Sequence, residues 1–172
     1  MRAWILESSP GGYRLGDIEC SGPGPGEVRI AVKASALNHM DLWVTRGTPR
    51  PPLPHVPGCD AVGTIESVGE GVDGFREGDL VVVNPGISPP EDVATLGIDS
   101  PLSHKFRIWG EHTWGGHAGL AVVPARNVRA VPAGRTIEEC AAFPVAYLTA
   151  LRMLRRGRVE ALSLIHISEP TR

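Results

Sequence analysis

Cysteine is scarce in this chain. Only Cys20, Cys59 and Cys140 occur, and no two stand in a C-x-x-C spacing. An odd number at wide intervals leaves no disulfide framework, which fits a reducing compartment. Long apolar runs are also missing: no window approaches the roughly 18 apolar residues of a membrane span. The opening MRAWILESSPGG is too short an apolar run for a signal peptide. Together these absences make the cytoplasm the expected location. An excess of one charge is lacking too. The net charge of −2 gives no basis for binding nucleic acid or an anionic membrane.

Glycine and proline are abundant instead, at 21 and 16 of 172 residues. They are spread among apolar alternations rather than massed in low-complexity runs, so they read as turn residues of a β-rich fold. The 21% charged and 42% hydrophobic residues are ordinary for a globular domain. The length suits one domain, or one domain and part of another.

RAWIL reads as a strand closed by the turn SSPGG, and YRLGDIE is placed to pair with it. In EVRIAVKASA, Val28, Ile30, Val32 and Ala34 alternate with Arg29, Ala31 and Lys33, the period of a half-buried strand. NHMDLWVTRG breaks that alternation. Met40, Trp43 and Val44 stand at helical spacing, with Asn38 as N-cap and Gly47 as a stop. TPRPPLPHVPG has too much proline for a helix or a central strand.

DAVGTIESVG is a strand in which Gly63 marks a bulge or a close backbone approach. LVVV at 80–83 is a buried strand, residues 85–117 read as mostly loop, and AGLAVVP and NVRAVP are two further strands. Short strands between Gly/Pro turns predict a barrel. The pattern then changes. Thr136 and Glu139 have capping-box spacing, and two helical pieces meet at Pro144. The second ends in arginines, as a helix C-terminus favours.

Four pieces in this order resemble the N-terminal part of medium-chain dehydrogenases/reductases: GPGPGEVRIAVKASALNHMDLWVTRG, LPHVPGCDAVGTIESVGEGVDGFREGDLVV, GGHAGLAVVPARNV and AAFPVAYLTALRML. The likeness is greatest to quinone-oxidoreductase-like and alcohol-dehydrogenase-like members. It implies a mainly β fold with short helices. A GroES-like catalytic barrel would occupy residues 1–130 and a helical junction residues 131–158. Residues 159–172 would be a non-native or disordered tail. In that family a Rossmann domain follows and binds the cofactor on a strand, a glycine turn and a helix. No G-x-G-x-x-G turn of that kind is read in this chain, and SLIHISEPTR resembles translated adapter sequence. The chain is therefore expected to be a fragment of a longer enzyme.

The resemblance also implies the chemistry. Zinc members hold the metal with a cysteine, the histidine of a GHE motif and a third cysteine or aspartate. Those positions carry Asn38, Cys59 in Gly58-Cys59-Asp60, and the neighbourhood of Ala141. Cys140 is one residue off, about 100° around a helix. No catalytic zinc is expected. The stretch that would hold a structural zinc, 84–112, contains no cysteine.

In zinc-free members, residues at the positions of Asn38 and Asp41 line the nicotinamide and substrate cleft, and these two are the expected catalytic pair. His39, Met40, Trp43 and Thr149 would contact the cofactor, NADP or NAD. The competing reading is that Asn38 and Asp41 only cap their helix. Cys59 and His55 read as buried fillers. His104, His112 and His117 read as surface or structural residues, and Tyr147 as packing.

The expected activity is hydride transfer to a small quinone, enone or aldehyde, or from an alcohol. The protein would be a homo-oligomer when intact, and this chain alone inactive. Two alternatives stay open: a zinc alcohol dehydrogenase with an altered metal site, and a non-catalytic GroES-like binding module.

Overall fold

The computed structural model of the protein describes residues 1–160. Its strands, in chain order, are β1 (Arg2–Leu6), β2 (Tyr13–Asp17), β3 (Glu27–Ala36), β4 (Asp60–Val68), β5 (Leu80–Val83), β6 (Gly86–Ile87), β7 (Arg107–Ile108), β8 (Leu120–Pro124) and β9 (Val128–Ala130). The helices are α1 (His39–Thr45), α2 (Pro90–Leu96), α3 (Ile137–Ala141) and α4 (Pro144–Arg156). Five strands form one antiparallel sheet in the order β8-β3-β4-β5-β9, and β1–β2 and β6–β7 are separate ribbons. Single bridges from Ala3 to Ala118 and from Leu6 to His55 tie the first ribbon to the loops.

The alternation read from the sequence decides which face is buried. Val28 and Ile30 of β3 are fully buried, while Arg29 between them stays partly exposed and pairs with Glu66 on β4. The inward residues meet Ile65, Val81, Val123 and Trp109 in one core. The irregularity expected at Gly63 lies on its partner strand. Val32 faces Gly63 and Ala34 faces Val62, so Lys33 is the extra residue. Gly63 answers for the close approach, since a Cβ there would stand 2.6 Å from the Ala31 carbonyl oxygen.

Two sequence readings need correction. Residues 85–117 are not mostly loop: they hold the β6–β7 ribbon, α2 and a 3-10 segment at Gly97–Leu102. Pro90 opens α2, where a missing N–H costs nothing, and Glu91 and Asp92 suit the first turn. A Ser88–Ser100 hydrogen bond of 3.1 Å closes this lobe, and Asp99 pairs with Arg152 and Arg156 of α4. Second, Gly69-Glu70-Gly71-Val72-Asp73-Gly74 does spell the G-x-G-x-x-G spacing after a strand. It is followed by turns and by β5 antiparallel to β4, not by a helix. The dinucleotide-binding reading needs a helix at that point.

α3 and α4 divide at Pro144 as expected, and Pro144 occupies the first turn of α4. Thr136 and Glu139 exchange both capping-box hydrogen bonds, each 3.1 Å. The tail expected at 159–172 lies outside the described residues except for Val159 and Glu160.

Candidate active site

The β3–α1 junction builds the site. Asn38 is extended, with φ −128° and ψ 162°, and serves as N-cap of α1. The Asp41 carboxylate one turn on accepts the Asn38 backbone N–H through Oδ2 at 2.7 Å. With that N–H satisfied, the Asn38 side chain reaches away from its own helix. Its Nδ2 donates to Asp60 Oδ2 at 3.1 Å. Capping therefore accounts for one oxygen of Asp41, while the Asn38 Nδ2 is engaged by Asp60.

Asp60 begins β4 and is 1% exposed. Its second oxygen, Oδ1, accepts the Val145 N–H at 2.9 Å. One carboxylate thus joins the junction, the sheet and the start of α4, where the helix field favours a negative charge. Burial nevertheless raises its pKa, partly offset by the Asn38 and Val145 hydrogen bonds.

Cys59 is buried beside it. Burial, and then the charges of Asp41, Asp60 and Glu111, push its thiol well above the usual range, so it stays protonated. Cys59 lines a cavity of about 450 Å³ together with Met40, Phe106, Ile108, Pro144 and Thr149. The expected cofactor residues Met40 and Thr149 therefore meet at one cavity. His39 and Trp43 do not join its lining. Their rings lie 6.3 Å apart on the open face of α1, with Trp43 48% exposed.

A larger hollow of about 800 Å³ runs along β5, β9 and α4. Cys140 lines it, as does Tyr147, which is 61% exposed and stacks on Phe143 rather than packing in the interior. Cys59 and Cys140 thus line separate hollows. Among the described residues no three His, Cys, Asp or Glu side chains converge as metal ligands.

Tyr13 and Ser35 escaped the sequence reading, and His117, read as a surface or structural residue, joins them. His117 is half-buried, its side chain 8% exposed, with Nδ1 2.9 Å from Ser35 Oγ and Nε2 3.6 Å from Asp41 Oδ2. Tyr13 donates its hydroxyl proton to the Asp41 carbonyl at 2.8 Å. Ser35 sits exposed at the end of β3. His117 and Asp41 are 76 residues apart by their numbers, and no spacing rule joins them. His55 is fully buried as expected, with Nε2 3.0 Å from the Gly110 carbonyl. Burial lowers its pKa, which keeps it neutral. His112 is structural, its Nδ1 accepting the Ile108 N–H at 3.0 Å.

An antiparallel barrel with buried carboxylates at one sheet end, beside a cavity that reaches the start of α4, is the catalytic-domain architecture of a large class of oxidoreductases. The model of the alcohol dehydrogenase GroES-like domain matches residues 24–133, and the chain belongs to the medium-chain dehydrogenase/reductase family that carries this domain. A zinc-type alcohol dehydrogenase-like protein of Schizosaccharomyces pombe is 41% identical over 132 residues, 73% of this chain and 35% of that protein. The crystal structure of an NAD-dependent alcohol dehydrogenase superposes with TM-score 0.83 at 40% identity, over 91% of this chain and 47% of its own. A cobalt- and zinc-bound thermostable alcohol dehydrogenase from Pyrobaculum aerophilum gives TM-score 0.85 at 34% identity, over 93% and 49%. The chain thus spans about a third of that curated relative and about half of these structures.

Proposed function

We propose that the chain is the catalytic barrel of a nicotinamide-dependent oxidoreductase that works without zinc, moving hydride between NAD(P)H and a small quinone, enone, aldehyde or alcohol. One observation carries this reading. At the place where zinc members collect their ligands, Asn38, Asp60 and the Val145 N–H form a closed hydrogen-bond network. An amide already committed to a carboxylate makes a poor metal ligand.

When bound, the cofactor supplies the hydride and accepts it back. The residues of this chain do the rest. Asp60 fixes the direction of the Asn38 amide, and the amide orients a substrate oxygen at the cavity edge. Met40, Phe106 and Ile108 keep water from the reacting carbon. The neutral Cys59 S–H faces the same cavity as a weak donor. We place the enzyme in the cytoplasm as a homo-oligomer, with this chain inactive by itself.

The test uses the full reading frame of the gene beyond codon 160. Its product is expected to oxidise NADPH or NADH in the presence of an enone, quinone or aldehyde. Asn38→Ala is expected to lower kcat/KM about 10²-fold, the usual loss for one oriented polar group at a reacting oxygen. Tight NADPH binding by the 172-residue chain alone would contradict its inactivity. The 34% identity to a cobalt- and zinc-bound enzyme favours the second reading, a zinc enzyme with an altered site. Stoichiometric zinc in the purified protein would establish that reading and overturn the first.

A further inference from the structure

α4 carries a line of side chains from the Asn38–Asp60 network to the far end of the cavity. Its Val145 N–H is held by Asp60 Oδ1 at 2.9 Å. Val145, Leu148, Thr149, Arg152 and Arg155 all line the cavity of about 450 Å³. Spacings of three and four residues put them on one helix face. At about 1.5 Å per residue along the axis, Arg152 stands about 10 Å and Arg155 about 15 Å beyond Val145. Both side chains lean back toward the N-terminus, as helical side chains do. The face therefore starts at the network and ends in guanidinium groups.

The two ends of the cavity differ in chemistry. Among the described residues, Arg152 and Arg155 are the charged members of the lining, and no carboxylate lines it with them. Asp99 approaches from outside the lining, 3.5 Å from Arg152 and 2.6 Å from Arg156. Arg155 has no ion pair among the described residues and is exposed, so an entering anion meets it at the mouth. On the facing lobe, Ser88 and Ser100 hydrogen-bond to each other at 3.1 Å, which leaves the arginines as the charged donors at this end. Phe106, Ile108, Pro101 and Leu148 make the wall between the ends apolar. Offsetting the helix field asks only for a basic side chain in the last turn, and Arg156 supplies one without lining the cavity. That role does not explain two arginines on the cavity face.

We propose that the cavity takes a substrate with an apolar body and an anionic far end, a carboxylate or a phosphate, set on the order of 10 Å from the reacting carbon. The inference rests on the oxidoreductase reading and names the substrate class for that same site. The guanidinium fork of Arg155, with Arg152 behind it, matches two oxygens of such a group. The apolar wall covers the body, and the reacting end arrives beside Asn38, Met40 and Cys59. Length and charge together then select the substrate.

The experiment has two arms. In the 172-residue chain, the arginine Nε–H signals in NMR read binding of nonanoate, with 1-nonanol as the uncharged control. Nonanoate is expected to shift the Arg155 signal and 1-nonanol to leave it in place. Equal shifts, or none, refute the anion site whatever the protein catalyses. In the full-length protein, ω-formyl alkanoates of rising chain length are compared with their methyl esters. The acids are expected to be preferred, most strongly where aldehyde and carboxylate lie about 10 Å apart. Arg155→Gln is expected to lower kcat/KM for the best acid about 10-fold more than for its ester, and Arg155→Lys to keep most of the preference. A rise in KM for NADPH that is the same with acid and ester would assign the arginines to a cofactor phosphate and overturn the proposal. If the wild type reduces acids and esters alike, the substrate class is wrong and the oxidoreductase reading stands. If it transfers no hydride with any aldehyde, quinone or enone, that reading fails and the substrate class falls with it, while the nonanoate arm alone upholds or overturns the anion site.

Discussion

Two buried regions of this small fold follow opposite rules. In the barrel core, Val28, Ile30, Ile65 and Val81 are enclosed, and the polar group among them, the Trp109 indole N–H, donates to the Val122 carbonyl at 3.0 Å. Around the start of β4 the interior holds Asp41, His55 and Asp60 beside the half-buried His117, and three of these four keep a buried polar atom with no partner. The first region is made of apolar area and satisfied hydrogen bonds, which is what stability requires. The second keeps charge and unpaired atoms where apolar side chains would cost less. Such departures concentrate at functional sites, which is the physical support for placing the proposed chemistry in the second region.

The contrast can be broken or sharpened by substitution. The largest effect is expected in the core. Trp109→Ala should lose about 3–5 kcal/mol of unfolding free energy in urea, through lost burial and the cavity left behind. Asp60→Ala comes next. It leaves the Asn38 amide and the Val145 N–H without their acceptor, for about 1–3 kcal/mol, and hydrogen exchange should quicken in the first turn of α4. Gly58→Ala should cost at least about 1 kcal/mol, since its φ of +103° strains any side chain. A Cβ there would stand 2.6 Å from His117 Nδ1, so the His117 ring should be displaced in NMR spectra.

Asp41→Asn is expected to change stability by less than about 1 kcal/mol. The amide oxygen can still accept the Asn38 N–H, and an incompletely paired buried charge disappears. A loss as large as that of Trp109→Ala would erase the distinction between the two regions.

The smallest effect is one of pH. Burial holds the folded His55 pKa below its ordinary value, so the unfolded chain takes up a proton that the folded chain resists. The stability this residue contributes is present above the unfolded pKa of about 6.5, and is lost as pH falls through the lower folded value. Asp60 and Glu111, raised by burial, act in the opposite sense in wild type and variant alike. The difference between wild-type and His55→Gln denaturation curves should therefore show the acid-side loss in the wild type only.

Much of the barrel could be read along the chain because strand alternation and turn residues are local signals. Val28 and Ile30 announced the inward face of β3, and Thr136 with Glu139 announced the start of α3. The lobe at 86–108 was missed because Pro90 serves as a helix opener only when the chain around it is folded for that purpose. Asn38, Asp41 and Asp60 were visible as polar residues in a family pattern. Their wiring was not, since the Asn38–Asp60 and Asp60–Val145 bonds span 22 and 85 residues.

By itself, the sequence determined the strands, the turn-rich barrel, the cap of α1 and the family, because each depends on neighbours within a few residues or on a colinear pattern. Only the tertiary structure decided that the Asn38 Nδ2 reaches Asp60, that Cys59 and Cys140 line different hollows, and that His117 stands between Ser35 and Asp41. Those outcomes depend on distances across the sheet. Such distances exist only once β3, β4 and the loop before β8 have packed together.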